Sequence, residues 1–188
     1  MKLIPPPHDR WHTVGGEDGP MPHPNAVDHQ LLSLEQWHAV RDEHWPAGLA
    51  TGVIVANTVD VETLAADLPR LALVVLQFPK WTDGRAYSQA RLLRARYRFA
   101  GELRAQGDVL VDMLPLLLRT GFDAAQMRAD QRFDVAQRTL DFAQGQGFAG
   151  YYQGDAAQPR PAFARDLALE TGAAAQSRHA ELFAGQGI

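Results

Sequence analysis

The stretch Leu71-Ala72-Leu73-Val74-Val75-Leu76-Gln77-Phe78 is followed by Pro79-Lys80-Trp81-Thr82-Asp83-Gly84-Arg85 and then by a helical pattern that ends near Arg98. A short run rich in leucine and valine and bounded by proline is typical of a strand covered on both faces, as in a parallel sheet. The stretch therefore predicts a buried strand, a polar turn and an amphipathic helix. Sheets and barrels of this class build their sites where a strand ends and a helix begins, so we expect any chemistry in the turn.

The composition fits one α/β domain with a sizeable core, because the chain has 188 residues of which 46% are hydrophobic. A formal charge of −4 argues against a sequence-independent nucleic-acid binder. The absence of cysteine excludes disulfides, thiolate catalysis and dithiol redox chemistry for this chain. The longest apolar runs are too short to span a bilayer, and we expect a cytoplasmic protein.

Residues 1–28 are rich in proline, glycine and histidine, which predicts an irregular arm. Six of the seven histidines precede position 50. The prolines and glycines around His8 and His12 do not favour the helix that would pair these two side chains, so we expect no metal site.

A repeated pattern of predicted strands and helices follows the arm. Leu31-Leu32 indicates a short strand, and Ser33 with Gln36 forms a predicted capping box for the next helix. Later strands are predicted at 53–56, 71–78, 102–106 and 122–127, and their helices at 61–68, 86–98, 109–119 and 133–140. Right-handed crossovers between these units predict a mainly parallel sheet. The chain is too short for an ordinary eight-unit barrel, so we expect an open or half-barrel-like sheet, which a homodimer would complete.

This pattern divides the chain into the arm 1–28, an α/β domain 29–160 and a C-terminal helical or partly flexible tail 161–188. Helical spacing places Ala86, Ala90, Leu93 and Tyr97 inward and Arg91, Arg94 and Arg98 outward. In the last helix of the domain it places Phe133, Ala136 and Leu140 inward.

Polar residues follow several of the predicted strands at one edge of the sheet. Lys80 is one of only two lysines, and it is our candidate base or electrostatic stabiliser, with Asp83 as its catalytic partner. Alternatively, Lys80 is an ordinary surface residue in an arginine-biased chain, and Asp83 simply caps a helix and pairs with Arg85. The candidate substrate- or anion-binding residues at the same edge are Arg85, Ser88, Gln89, Arg104 and Asp108.

No familiar catalytic or nucleotide signature is present. The sequence has no G-x-G-x-x-G after its first strand, no P-loop, no G-x-S-x-G and no H-E-x-x-H. The common kinds of nucleotide enzyme are therefore disfavoured, and the cofactor, if the chain uses one, is unknown from the sequence.

The string from Phe78 to Arg94, followed by Gly101-Glu102-Leu103-Arg104-Ala105 and Arg119-Thr120-Gly121-Phe122-Asp123, resembles the bacterial family of unknown function DUF934. The resemblance covers about residues 31–153. It implies an association with assimilatory sulfite reduction, because such proteins are commonly encoded beside sulfite reductase and are often labelled oxidoreductases. Thr120 stands where family members often have cysteine, which speaks against a thiol mechanism for this member.

Two main hypotheses of function result, and the residues leave open whether the chain is an enzyme. The first is an accessory or small-anion-binding protein of sulfite assimilation that acts with sulfite reductase. The second is an enzyme, an oxidoreductase or another, that acts on a small anionic metabolite with Lys80 as base or stabiliser. A flavin or nicotinamide cofactor has no positive support in the residues. We expect neither a nucleic acid nor a membrane as partner.

Overall fold

The computed structural model of the chain describes residues 1–5, 9–13, 23–42 and 45–145. The predicted tail 161–188 lies outside these residues. In chain order the strands are β1 (Lys2–Leu3), β2 (His12–Thr13), β3 (Gln30–Ser33), β4 (Thr51–Val55), β5 (Leu73–Phe78), β6 (Glu102–Gly107) and β7 (Ala124–Ala125). The α-helices are α1 (Leu34–Val40), α2 (Arg85–Ala95), α3 (Leu114–Thr120) and α4 (Phe133–Gly145).

The described strands form one parallel sheet in the order β1-β7-β6-β5-β4-β3-β2, which is curved into a half-barrel. Strands β2 to β7 follow one another in sequence, and each is hydrogen-bonded to the next. Right-handed crossovers between consecutive strands place all connections on one face of a sheet. The predicted α/β fold with a half-barrel-like parallel sheet is confirmed.

All four helices pack on the same face of the sheet. Val74 of β5 lies beside Val53 of β4 and Leu103 of β6, and this row belongs to one large apolar cluster that includes residues of α1, α2, α3 and α4. The alternate residues, such as Leu73 and Val75, belong to a separate small cluster. They therefore lie on the opposite face, which we call the concave face of the half-barrel.

The segment predicted as an irregular arm contributes a two-residue strand to each edge of the sheet. β1 pairs with β7 at one edge, and β2 pairs with β3 at the other. Between these strands, Trp11 is buried on the concave face with Leu31 and Leu73. A methyl group at Gly52 would lie 3.0 Å from the Trp11 ring, so the glycine admits the indole.

The helix boundaries follow local signals closely. The Ser33–Gln36 capping box is present, with Gln36 N donating to Ser33 Oγ at 3.1 Å and Ser33 N donating to Gln36 Oε1 at 2.8 Å. Pro115 lies in the first turn of α3, which delays the helix predicted over 109–119 to residue 114. Gly121 ends α3 in the left-handed conformation, with φ of 100°.

Three local predictions are wrong. The helix predicted over 61–68 is a pair of 3₁₀ turns, Val61–Leu64 and Leu68–Arg70, and Pro69 interrupts the segment. Phe133 was predicted to be inward but is 48% exposed. Arg94 was predicted to point outward but is buried, because the acceptors for its guanidinium come from residues 99–123, which follow it in the chain.

Candidate functional site

Lys80 and Trp81 lie in the loop between β5 and α2, at the carboxyl end of the central strand. Lys80 is exposed, and its ammonium group has no ion-pair partner among the described residues. Trp81 is 53% exposed, which is unusual for an indole. We call these two residues the Lys80–Trp81 surface.

The Lys80–Trp81 surface is fixed from the neighbouring strand β6. Asp108 follows β6, and its Oδ2 accepts a hydrogen bond from the Trp81 backbone N–H at 2.9 Å. Its Oδ1 accepts from Arg128 NH1 at 2.6 Å, and Arg128 also donates to Asp130. The Trp81 amide and the Arg128 guanidinium both favour the charged carboxylate and lower the pKa of Asp108. Asp108 therefore anchors the loop.

Asp83 and Arg85 form a local pair at the start of α2. Asp83 accepts from Arg85 Nε at 3.0 Å and from Arg85 NH2 at 2.6 Å, as well as from the Arg85 backbone N–H at 3.2 Å. These bonds, with a smaller contribution from Asn57, hold the pKa of Asp83 well below its usual range. The Asp83 carboxylate thus already accepts a hydrogen bond at the N-terminus of α2, and it is already the ion-pair partner of the Arg85 guanidinium.

The predicted catalytic pair is not assembled by side-chain contact. Asp83 N donates to the Lys80 carbonyl at 3.0 Å, but the Asp83 carboxylate bonds Arg85 and not the Lys80 ammonium. Any role of Lys80 and Asp83 in catalysis stays a prediction.

Ser88 and Gln89 follow on the first turns of α2 and differ in their surroundings. Ser88 is exposed. Gln89 is buried, and its Nε2 donates to the carbonyls of Ala56 at 2.9 Å and Val59 at 2.8 Å. Gln89 thus fastens the loop after β4 to the helix, and its amide nitrogen is occupied by the protein itself.

Arg104 lies on the concave face in the middle of β6, with a side chain only 3% exposed. Its Nε and NH2 donate to Glu102 Oε1 at 3.1 and 2.9 Å, and its NH1 donates to Asp9 Oδ2. Glu102 Oε2 accepts from Lys2 Nζ at 2.9 Å. Burial raises the pKa of Glu102, but the bonds from Lys2 and Arg104 outweigh it and leave the pKa below its usual value.

The predicted site residues are thus not joined to one another in a single network of side-chain contacts. Asp108 bonds the Lys80–Trp81 loop, Asp83 bonds Arg85, Gln89 bonds backbone carbonyls, and Arg104 bonds carboxylates on the concave face. Sequence reasoning missed Trp81 as an exposed aromatic residue, although its place in a polar turn after a buried strand was a usable signal. It also missed Asp9, for which no signal exists, because 95 residues separate it from Arg104.

Three glutamines of the concave face are not among the predicted site residues. Gln106 Nε2 donates to Gln126 Oε1 at 3.1 Å, and Gln77 lies beside Gln106 in the sheet register. The described residues contain no group of three or more histidine, aspartate or glutamate side chains placed to hold a metal ion. None of the described helices combines the length and apolarity needed to cross a membrane.

The fold and these groups define a parallel half-barrel α/β protein with an exposed, anchored loop at the carboxyl end of its central strand. The chain belongs to the family described as bacterial protein of unknown function (DUF934), whose model matches residues 52–163, more than half of the chain. No curated protein matches the chain significantly.

Proposed function

We propose that this chain is an accessory protein of assimilatory sulfite reduction, and that it binds sulfite reductase through the Lys80–Trp81 surface. The pathway is the one that the resemblance to the DUF934 family implies, and the match of the family model to residues 52–163 supports that resemblance. The mode of action rests on the exposed indole of Trp81 and the exposed ammonium group of Lys80.

The main observation that supports this proposal is that Asp108 accepts a hydrogen bond from the backbone N–H of the exposed Trp81 and so orders its backbone. Tryptophan is enriched among the residues that supply most of the binding energy at protein interfaces. A loop that is already ordered loses little conformational entropy when a partner binds. Lys80 beside Trp81 adds a cation that would favour an acidic partner surface.

The alternative, an enzyme acting on a small anionic metabolite, has less support from the geometry. A lysine base is normally activated by burial or by a second nearby cation, and Lys80 is exposed. Its predicted partner Asp83 is held by Arg85. Binding is therefore better supported than catalysis.

The direct test measures binding of the full chain to immobilised, purified sulfite reductase by biolayer interferometry. Lys80→Ala and Trp81→Ala should each weaken binding about tenfold or more, equivalent to about 1.4 kcal/mol. Arg91→Ala and Leu92→Ala, exposed positions on α2, are the matched controls for loss of a cation and of an apolar group, and should leave binding unchanged. Absence of binding by the unaltered chain would overturn the proposal.

The pathway is tested separately with a clean deletion strain. The strain should fail to grow on sulfate or sulfite, should grow on sulfide or cysteine, and should not be complemented by Trp81→Ala. Normal growth on sulfate would remove the assignment to sulfite reduction. Saturable turnover of an anionic metabolite by the purified chain, abolished by Lys80→Ala, would favour the enzyme instead.

A further inference from the structure

Arg104 and Arg94 are both buried, but they differ in the acceptors that their guanidinium groups bond. Arg94 donates to the backbone carbonyls of Gly101 and Gly121 in addition to its carboxylate partner. Arg104 donates only to carboxylates within the described part of the chain, those of Glu102 and Asp9. A buried guanidinium is costly without counter-charge, so Arg104 depends on anions and not on the backbone.

The two carboxylates at Arg104 are not equivalent. Glu102 is on the same strand and also accepts from Lys2, so its charge is shared between two cations. Asp9 comes from the N-terminal segment, and its Oδ1 accepts from the Trp11 backbone N–H at 3.2 Å while its Oδ2 accepts from Arg104. Asp9 therefore supplies the charge that balances Arg104, and without it Arg104 NH1 would have no hydrogen-bond partner among the residues that the structure describes.

We propose that Arg104 is the binding residue of a small-anion site on the concave face, and that the Asp9 carboxylate occupies this site in the present structure as a built-in competitor. The ligand is a small anion with carboxylate-like oxygens, either an organic carboxylate or an inorganic oxyanion. It replaces Asp9 at NH1 of Arg104. The site is distinct from the Lys80–Trp81 surface and does not depend on contact with sulfite reductase.

Competition with Asp9 predicts how affinity responds to substitution. When a binding-competent state is only partly populated, the apparent affinity falls by that fraction. The binding-competent state here is the one in which Asp9 has left Arg104 NH1. Removing the Asp9 charge makes this state dominant, so Asp9→Asn should bind anions more tightly than the unaltered chain. Asparagine retains a side-chain oxygen for the Trp11 amide and thereby preserves the local turn.

The experiment titrates the ¹⁵N-labelled full chain with sodium acetate, sodium sulfite and sodium sulfate at constant ionic strength. The Trp11 indole resonance and the Arg104 Nε resonance report binding. The unaltered chain should show saturable shifts with at least one anion, and Asp9→Asn should bind that anion about tenfold more tightly or better. Acetate tests for an organic carboxylate, and sulfite and sulfate test for an inorganic oxyanion.

Two arginine variants and one matched control complete the test. Arg104→Gln should abolish the shifts, and Arg104→Lys, which keeps the charge but loses the fork geometry, should weaken them if the glutamine variant does not fold. Asp123→Asn, which removes the carboxylate partner of Arg94, should gain no anion binding.

Three results would overturn the proposal. The first is equal affinity of the unaltered chain and Asp9→Asn. The second is binding that persists without Arg104 or that Asp123→Asn gains equally. The third is binding by Asp9→Asn with none by the unaltered chain, because Asp9 would then be a permanent clamp of the N-terminal segment and not a competitor.

Discussion

The carboxylate of Asp108 accepts a hydrogen bond from the backbone N–H of Trp81 at 2.9 Å, across the carboxyl ends of two neighbouring parallel strands. The bond joins a loop that carries an exposed indole to the end of β6. The other oxygen of Asp108 is held by Arg128, so the acceptor itself is fixed. Residues that follow separate strands thus cooperate to order one loop.

Asp108→Ala should therefore loosen the loop without altering its side chains. We expect faster hydrogen exchange of the Trp81 amide, because its acceptor is gone. We also expect weaker binding to sulfite reductase than the unaltered chain shows, because the loop must then be ordered on binding. The measurement is amide exchange by NMR.

The matched control for Asp108→Ala is Asp130→Ala, which removes the second carboxylate from Arg128 but not the acceptor of Trp81. The Trp81 amide should stay protected in this variant. Equal exchange rates in the two variants would show that the Asp108 bond does not order the loop.

The Asp83–Arg85 pair makes a prediction about titration. The pKa of Asp83 lies below its ordinary value of 3.8, mainly because Arg85 donates to the charged form. A carboxyl group whose pKa is lowered on folding stabilises the folded state above its unfolded pKa, and this contribution is lost as the pH falls through the folded pKa. Asp83 should therefore remain ionised well below pH 3.8.

The variant that tests this titration is Arg85→Gln, which should move the pKa of Asp83 up towards 3.8. The carboxyl carbon shift of Asp83, followed by NMR from neutral to acidic pH, measures it. Arg128→Gln, which removes an arginine that does not bond Asp83, should leave the value unchanged. An unshifted Asp83 in Arg85→Gln would contradict the assigned cause.

Much of the fold was predictable because it depends on signals within a few residues. The run Leu73–Phe78 is a strand because its leucine and valine side chains are buried on both faces, and the Ser33–Gln36 capping box marks the start of α1. Because consecutive strands are usually neighbours and their crossovers are right-handed, the successive strand–helix units allow only a few strand orders in the sheet. The half-barrel follows from these local patterns and the handedness of crossovers.

The site was less predictable because its contacts join distant parts of the chain. The carboxyl ends of the strands do collect polar residues, but charged side chains there pair with their nearest opposite charges, as Asp83 does with Arg85. The pairing of Asp9 with Arg104 joins residues that lie 95 positions apart in the chain. Residue types and spacing contain no information about such a contact.

Arg94 shows how helical spacing fails when a charged residue has many acceptors. It was assigned to the solvent side of α2, yet only 8% of its side chain is exposed. Its guanidinium donates to the carbonyls of Gly121 at 3.0 Å and Gly101 at 2.9 Å and also to Asp123. The residue thereby ties α2 to the segments on both sides of β6.

Arg94→Met should consequently destabilise the protein by about 3 kcal/mol, because buried carbonyls and a carboxylate lose their donor. Urea denaturation followed by circular dichroism measures the free energy of unfolding. The control is Arg91→Met on the exposed side of the same helix, which should change stability by less than about 0.5 kcal/mol. Similar values for the two variants would mean that the interactions of Arg94 contribute little.

The last prediction concerns Gly107, at the end of β6. This glycine has a positive φ and lies close to the backbone of Phe78. Its φ is +108°, a value that residues with a side chain rarely adopt. A Cβ atom at this position would overlap the carbonyl oxygen of Phe78 and lie 3.1 Å from its carbonyl carbon. Gly107→Ala should therefore cost about 2 kcal/mol or more in the free energy of unfolding.

Gly48→Ala is the control for Gly107→Ala, because a Cβ there meets nothing within 4 Å, and its effect should stay within about 0.5 kcal/mol. Asp108 comes directly after Gly107, and its backbone N–H donates to the Phe78 carbonyl at 2.7 Å. We therefore expect a backbone shift that relieves the overlap to displace Asp108 and to disturb its bond to the Trp81 amide. The folded Gly107→Ala protein should show faster exchange of the Trp81 amide, and an unchanged exchange rate together with unchanged stability would refute this account of the glycine.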